Sequence, residues 1–226
     1  MPLMEYLLPA LKALALVPVT LLPIINPLST APLFASSTGG DRLLSKRLAR
    51  QVAMNSWIVM VCAMLIGTYV LDFFGISLPI VRIGGGLLVA ATGWRMLHTS
   101  ESDEVRTAAS EHAESLSDAE ITRRSFFPIT FPLTTGPGTI AASITLGANL
   151  PKTPALYVAG AAVAAVGAAL TAVVLYFIFR HAAALLQKLG EVGTLVMMRL
   201  LAFILLCVGI EFMWTGWAQL NQLSTT

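Results

Sequence analysis

Charged residues in this chain are clumped, and between the clumps run long apolar stretches with almost no charge. Six such stretches can be read, near residues 11–36, 52–72, 78–97, 126–149, 155–179 and 195–217. A helix of about 20 apolar residues crosses a hydrocarbon core of ~30 Å. In lipid every backbone N–H and C=O needs a partner inside the protein, and these runs far exceed the roughly 9–11 alternating residues of a barrel strand. The pattern therefore predicts an all-α membrane protein with six transmembrane helices.

Composition agrees. Of the 226 residues, 56% are hydrophobic and 12% charged, against about 25% charged in a soluble domain, which excludes an ordinary water-soluble fold. The net charge of +2 adds little, but its distribution informs. Arg42, Lys46, Arg47, Arg50, Arg95, Arg106, Arg123, Arg124, Arg180 and Lys188 follow the first, third and fifth stretches, whereas only Lys12 and Lys152 fall on the other side. The positive-inside rule then puts the odd-numbered connections in the cytoplasm and both termini in the periplasm or outside the cell. The opening MPLMEYLLPALK lacks a basic region ahead of its apolar run, so the first helix is expected to be retained. Cys62 and Cys207 fall inside predicted helices and read as small buried side chains.

Residues 98–124 interrupt the apolar pattern with Glu101, Asp103, Glu104, Glu111, Glu114, Asp118 and Glu120 among Ser and Ala. Such a segment buries too little apolar surface to offset its ordering entropy, and it reads as a flexible cytoplasmic linker. It divides the chain into a first three-helix repeat (1–97) and a second (125–226). His98, His112 and His181, in or beside the linker and at a helix end, read as solvated.

The two halves echo each other. PLSTAPLF at 27–34 and PLTTGPGT at 132–139 match under a shift of 105 positions, pairing Pro27 with Pro132 and Pro32 with Pro137. A second echo links FFGISLPIVR, ending at Arg82, with KLGEVGTLVMMR, ending at Arg199. Three is an odd number of helices, so the second repeat must enter the membrane from the opposite side, the inverted plan of many secondary transporters.

Proline removes a backbone donor and blocks the preceding turn. Pro23, Asn26, Pro27 and Pro32 in one half, and Pro128, Pro132, Gly136, Pro137 and Gly138 in the other, therefore predict a broken first helix in each half, with unwound backbone within Pro27–Phe34 and Pro132–Thr139. Non-helical backbone at membrane depth is tolerated where it is buried in protein or lines a watery cavity. Asn26, Ser29, Thr30, Thr134, Thr135 and Thr139 would satisfy the freed groups or bind a polar solute between the two breaks; half-helix N-termini suit a carboxylate and freed carbonyls an ammonium group or cation. The alternative is that the prolines kink packed helices and the hydroxyls bond back to the backbone. The substrate-site residues on the transport reading are Asn26, Pro27, Ser29, Thr30, Pro32, Thr134, Thr135, Gly136, Pro137, Gly138 and Thr139.

Three ionisable residues lie near the predicted spans. Arg82 and Arg199 are partners for a carboxylate or snorkel to the interface. Glu211 is a proton-coupling residue or, with Trp214 and Trp217 just beyond it, an interfacial one. Gly84, Gly85, Gly86 and Gly93, and Gly160, Ala164, Gly167 and Ala168, supply small faces for helix contact.

NPLSTAPLF at 26–34, FGISLPIVRIGGGLLVAATGWRML at 74–97 and FPLTTGPGTIAA at 131–142 together resemble the MarC family of bacterial inner-membrane proteins. The resemblance extends over essentially the whole chain. It implies six membrane helices and a grouping with small-solute exporters of the LysE type, some archaeal relatives being described as neutral amino-acid transporters. The function expected is export or transport of a small solute, such as a neutral amino acid, across the inner membrane, with lipid and a coupling ion or proton as partners and self-association compatible with the pattern. A solute or ion channel and a non-transporting scaffold or assembly protein are the alternatives. No nucleophile, metal cluster or acid–base pair falls together within the spans, so neither an enzyme, a metal nor a cofactor is expected, and nothing points to nucleic acid.

Overall fold

Asp41, Gly39 and Gly75 punctuate the first half of the chain in ways that fix its helices. The computed structural model describes residues 2–39, 41–98, 125–151 and 153–222. In chain order its elements are α1 (Pro2–Ile25), α2 (Pro27–Thr38), α3 (Arg42–Phe74), α4 (Leu78–His98), an irregular segment Ser125–Thr134, α5 (Pro137–Ala148), α6 (Pro154–Arg180) and α7 (Ala182–Leu220). No strand occurs among the described residues. Gly39 ends α2 with φ 56°, and the Asp41 carboxylate then caps α3 by accepting from the Leu43 and Leu44 amides at 2.7 and 3.4 Å. Gly75, at φ 67°, ends α3.

Four helices are long and apolar enough to cross a membrane: Arg42–Phe74, Leu78–His98, Leu156–Arg180 and Ala182–Leu220. Leu14–Ile25 and Pro27–Thr38 meet that test together, bent by 59° at Asn26. The fourth apolar stretch, 126–149, is not one helix: it is divided between the irregular segment and the 12-residue α5. Two other boundaries also move. Arg42, Lys46, Arg47 and Arg50, read above as loop residues, lie in the first turns of α3, because the Asp41 cap starts the helix early and Leu48 and Ala49 already bury against the core. Likewise α7 starts well before residue 195 but is broken at Gly190, whose φ 67°, ψ 178° suits glycine alone.

Packing is reciprocal between the halves. α4 lies along α7 and α3 along α6, while α1 and α2 pack on α6 and α7, and the irregular segment and α5 pack on α3 and α4. Each broken element is thus held by the second and third helices of the other half. At the α4–α7 crossing glycine lets the backbones touch: a β-carbon on Gly86 would lie 2.6 Å from the Gly209 carbonyl oxygen, and one on Gly93 would lie 2.6 Å from the Leu206 amide nitrogen. Gly84 faces open space and takes no part. On α6, Gly167 meets Val17 of α1, and Ala164 and Ala168 are buried beside it. The core is completed by Phe34 stacked on Phe179 at 4.8 Å and by the Trp57 indole donating to the Ala165 carbonyl at 3.0 Å.

Cys62 and Cys207, expected to be buried, are exposed on the outer faces of α3 and α7. Both sit among apolar side chains such as Ile58, Ile66, Phe203 and Ile204 that also face outward, as they would towards lipid. His98 ends α4 with its ring 4.3 Å from that of Trp94, and His181 is exposed between α6 and α7. His112 and the seven acidic residues of the linker fall outside the described residues.

Candidate functional site

Asn26 makes the first break. It holds the left-handed conformation, φ 48°, ψ 58°, which asparagine tolerates better than most residues. Its amide closes α1 by donating to Leu22 at 2.9 Å, and its carbonyl accepts from the Ser29 amide at 3.1 Å and the Ser29 hydroxyl at 2.8 Å. The residue therefore ends α1 and starts α2, with Pro27 in the first helical position, where its missing N–H costs nothing. Pro27–Phe34 itself is continuous helix and Pro32 lies inside it, so the break precedes the motif rather than dividing it.

The second break is longer. Phe127 and Phe131 are extended, both are followed by cis peptide bonds to proline, and Gly136, at φ −73°, ψ 179°, precedes Pro137 at the start of α5. Hydroxyls bond to carbonyls along this segment, that of Thr130 also accepting the Thr135 amide at 2.7 Å. Thr130 donates to Ser125 at 2.6 Å, Thr134 to Ile129 at 2.7 Å and Thr135 to Thr130 at 3.0 Å, each reaching five residues back. The repeat motif thus breaks at different points: the helix restarts at its first proline in one half and at its second in the other.

The two breaks face one cavity of about 290 Å³. Of the eleven residues expected at the site, Asn26, Ser29, Thr30, Thr134, Gly136, Pro137, Gly138 and Thr139 line it. Pro27, Pro32 and Thr135 do not; Thr135 is wholly buried and serves its own segment. Both α2 and α5 begin at the cavity, so first-turn amides with no partner inside their helices, and the positive ends of two dipoles, converge there. Asn26 is 6% exposed and its side-chain nitrogen has no hydrogen-bond partner among the described residues. Thr139 offers a hydroxyl that makes no bond among them either.

The far wall comes from α4 and was missed from sequence: Leu88, Val89, Thr92, Arg95 and Met96. Arg95, in the last turn of α4, is the only cationic side chain lining the cavity among the described residues, and no acidic one lines it. The signal was available in the spacing, since 88, 92 and 95/96 share one helix face. Charge counting alone places Arg95 with the loop cations, whereas it lies within α4.

The other ionisable residues stand apart. Arg82 is 7% exposed, with its Nε unpartnered among the described residues, and lies where α4 meets Gly216 of α7, at the opposite end of α4 from Arg95. Arg199 is half-buried, nine residues beyond the Gly190 break, and has a partner within the fold. Glu211 is exposed on the outer surface of α7, close to the exposed Trp214 and Trp217. None of the three lines the cavity.

The family model described as MarC family integral membrane protein matches residues 11–220. The chain belongs to the MarC family. Among curated relatives of this MarC family protein, the inner membrane protein MarC of Escherichia coli O1:K1 is 35% identical over 213 residues, 91% of this chain and 94% of the relative. The protein of the same name from Salmonella paratyphi B is 33% identical over 218 residues, with the same coverage of both chains. No solved structure matches the chain. The chain is therefore an inner-membrane protein of this family, built from apolar helices.

Proposed function

We propose that this MarC family protein is a secondary transporter or exporter of a small polar solute, a neutral amino acid or similar metabolite, working by alternating access. One observation carries the reading: two broken elements, one from each half, present their helix N-termini to a single cavity whose wall is part polar and part apolar. The reciprocal packing of the halves supports two inverted three-helix repeats, since the two-fold arrangement they would generate sets each broken element on the other half's helices. On this reading α1 and α2, bent by 59° at Asn26, make one crossing. On the same reading, the irregular segment and α5 make another. Six crossings result, with both termini periplasmic and the cavity mouth at the cytoplasmic end of α4.

The chemistry of the wall favours a ligand with a carboxylate. Two helix N-termini, the Asn26 amide and Arg95 all attract negative charge. An ammonium group would have carbonyls and the Thr139 hydroxyl as partners rather than a carboxylate, which suits a zwitterion better than a free cation. A proton or other coupling ion is part of the proposal, and self-association is compatible with it.

The test is solute flux in vesicles reconstituted with the full chain, preceded by a thermal-stabilisation screen of amino acids and related carboxylates to find the ligand. Saturable flux that accelerates when unlabelled solute is placed on the opposite side is the expected result. Flux that rises linearly with concentration and shows no counter-transport would favour a channel, and no flux with any stabilising ligand would favour a scaffold.

A further inference from the structure

A second cavity, sharing no lining residue with the first, lies where the start of α3 meets the junction of α6 and α7. Its volume is about 950 Å³, and Arg42, Lys46, Arg47, Arg50, Arg180 and His181 line it. We propose that this basin binds the headgroup of an anionic phospholipid. No acidic side chain lines it among the described residues, and its polar remainder, Thr38, Ser45 and Gln187, adds hydrogen-bonding groups that suit phosphate oxygens. Arg180 is already oriented, donating to the Tyr176 hydroxyl at 3.1 Å with its guanidinium 5.7 Å from that ring.

Position selects the lipid over a soluble anion. At about 1.5 Å per residue α3 is far longer than a hydrocarbon core of ~30 Å needs, so its basic first turns reach the headgroup level. Across the basin, Ala182–Leu189 is set off from the rest of α7 by the Gly190 break and lines the wall with Ala183, Ala184 and Gln187. Leu43, 67% exposed on the rim, gives an acyl chain an apolar surface next to the cations. Basic pockets at this level are where anionic headgroups are held.

The experiment uses the full chain in neutral detergent, titrated with phosphatidylglycerol, phosphatidylcholine or inorganic phosphate. Retained lipid is read by native mass spectrometry and stability by thermal unfolding. Phosphatidylglycerol should be retained at least about five-fold more than phosphatidylcholine, the preference should shrink as salt screens the charges, and an Arg42→Gln/Lys46→Gln/Arg50→Gln variant should lose it. Lys188→Gln, outside the basin, should keep it. Equal retention of the two lipids by the wild type overturns the proposal, including the case in which the acidic connection of the same chain already fills the basin. So does inorganic phosphate displacing phosphatidylglycerol at matched phosphate concentration, which would mark a free-anion site. Should the triple variant fail to fold, the lipid preference and its salt dependence in the wild type still decide.

Discussion

The hydroxyls around the two breaks fall into two groups with different work. Thr130, Thr134 and Thr135 donate to carbonyls five residues back, and Ser29 donates to Asn26, so these side chains brace the backbone at the breaks, the Asn26 and Thr130 carbonyls also accepting a backbone amide. Thr139 keeps its hydroxyl for the cavity. Thr135→Val should cost about 1 kcal/mol of stability by removing the second of two hydrogen bonds to the buried Thr130 carbonyl, whose bond from the Thr135 amide at 2.7 Å remains, seen as a lower thermal midpoint. Thr139→Val should leave that midpoint within error, while weakening ligand-dependent stabilisation by about 1 kcal/mol, roughly five-fold in affinity. The reverse pattern would place the site elsewhere. Asn26 offers a backbone test: Asn26→Gly should preserve the left-handed turn, whereas Asn26→Leu should add a cost of about 1–2 kcal/mol on top of losing the amide. A Leu variant as stable as the Gly variant would show that the left-handed turn is not required. Residue types at the site were legible in the sequence, eight of the eleven expected positions reaching the cavity. Which hydroxyls serve the backbone was not, because bonding back over five residues requires the extended turns at Phe127 and Phe131 that no local pattern specifies.

Among the elements, α4 and α7 meet backbone to backbone, and the glycines of α4 are not equivalent. Gly86 and Gly93 meet α7 backbone, while Gly84, two residues before Gly86, meets nothing within 4 Å. Gly86→Leu should therefore force the helices apart at a cost of about 1–3 kcal/mol or more and reduce the yield of folded protein in detergent, whereas Gly84→Leu should be tolerated. Similar yields for both would show that the crossing is not tightly packed. Glu211 belongs to the same helix but to its outer face, so Glu211→Gln should leave any dependence of flux on a pH gradient intact; its loss would assign coupling to this carboxylate. The 126–149 stretch was not one helix, whereas the four long helices and the bent α1–α2 pair were readable from apolar length, because lipid leaves few alternatives. Helix ends were not: the Asp41 cap carries α3 through four basic residues, and hydropathy cannot see a cap. The bend at Asn26, the irregular 125–134 backbone and the break at Gly190 were foreshadowed by proline and glycine, but only in kind. Pro32 shows why, since a proline beyond the first turn was accommodated in α2 without breaking it.

For the whole molecule, if it alternates as proposed, the unsatisfied polar atoms mark what the other conformation would expose. Ser143 Oγ, Thr145 Oγ1 and Arg82 Nε are buried without partners among the described residues, and all three lie beyond the cavity, on the later part of α5 and the first turns of α4. Each such group costs roughly 1–3 kcal/mol when dry. A protein held in one conformation gains nothing from them, whereas one that alternates would hydrate them when the cavity opens to the opposite side. Single cysteines in a background without Cys62 and Cys207 test this with a membrane-impermeant thiol reagent. A cysteine at Thr92, on the cavity wall, should label from the cytoplasmic side and be protected by ligand. Cysteines at Ser143 and Thr145 should resist labelling from both sides in the state described, then react from the periplasmic side once a solute gradient favours the opposite orientation. Reaction of the Thr145 cysteine from the cytoplasm would mean a path already open past the breaks, as in a channel. If neither ever reacts under any gradient, the buried polar atoms are packing defects and the molecule does not alternate about this axis.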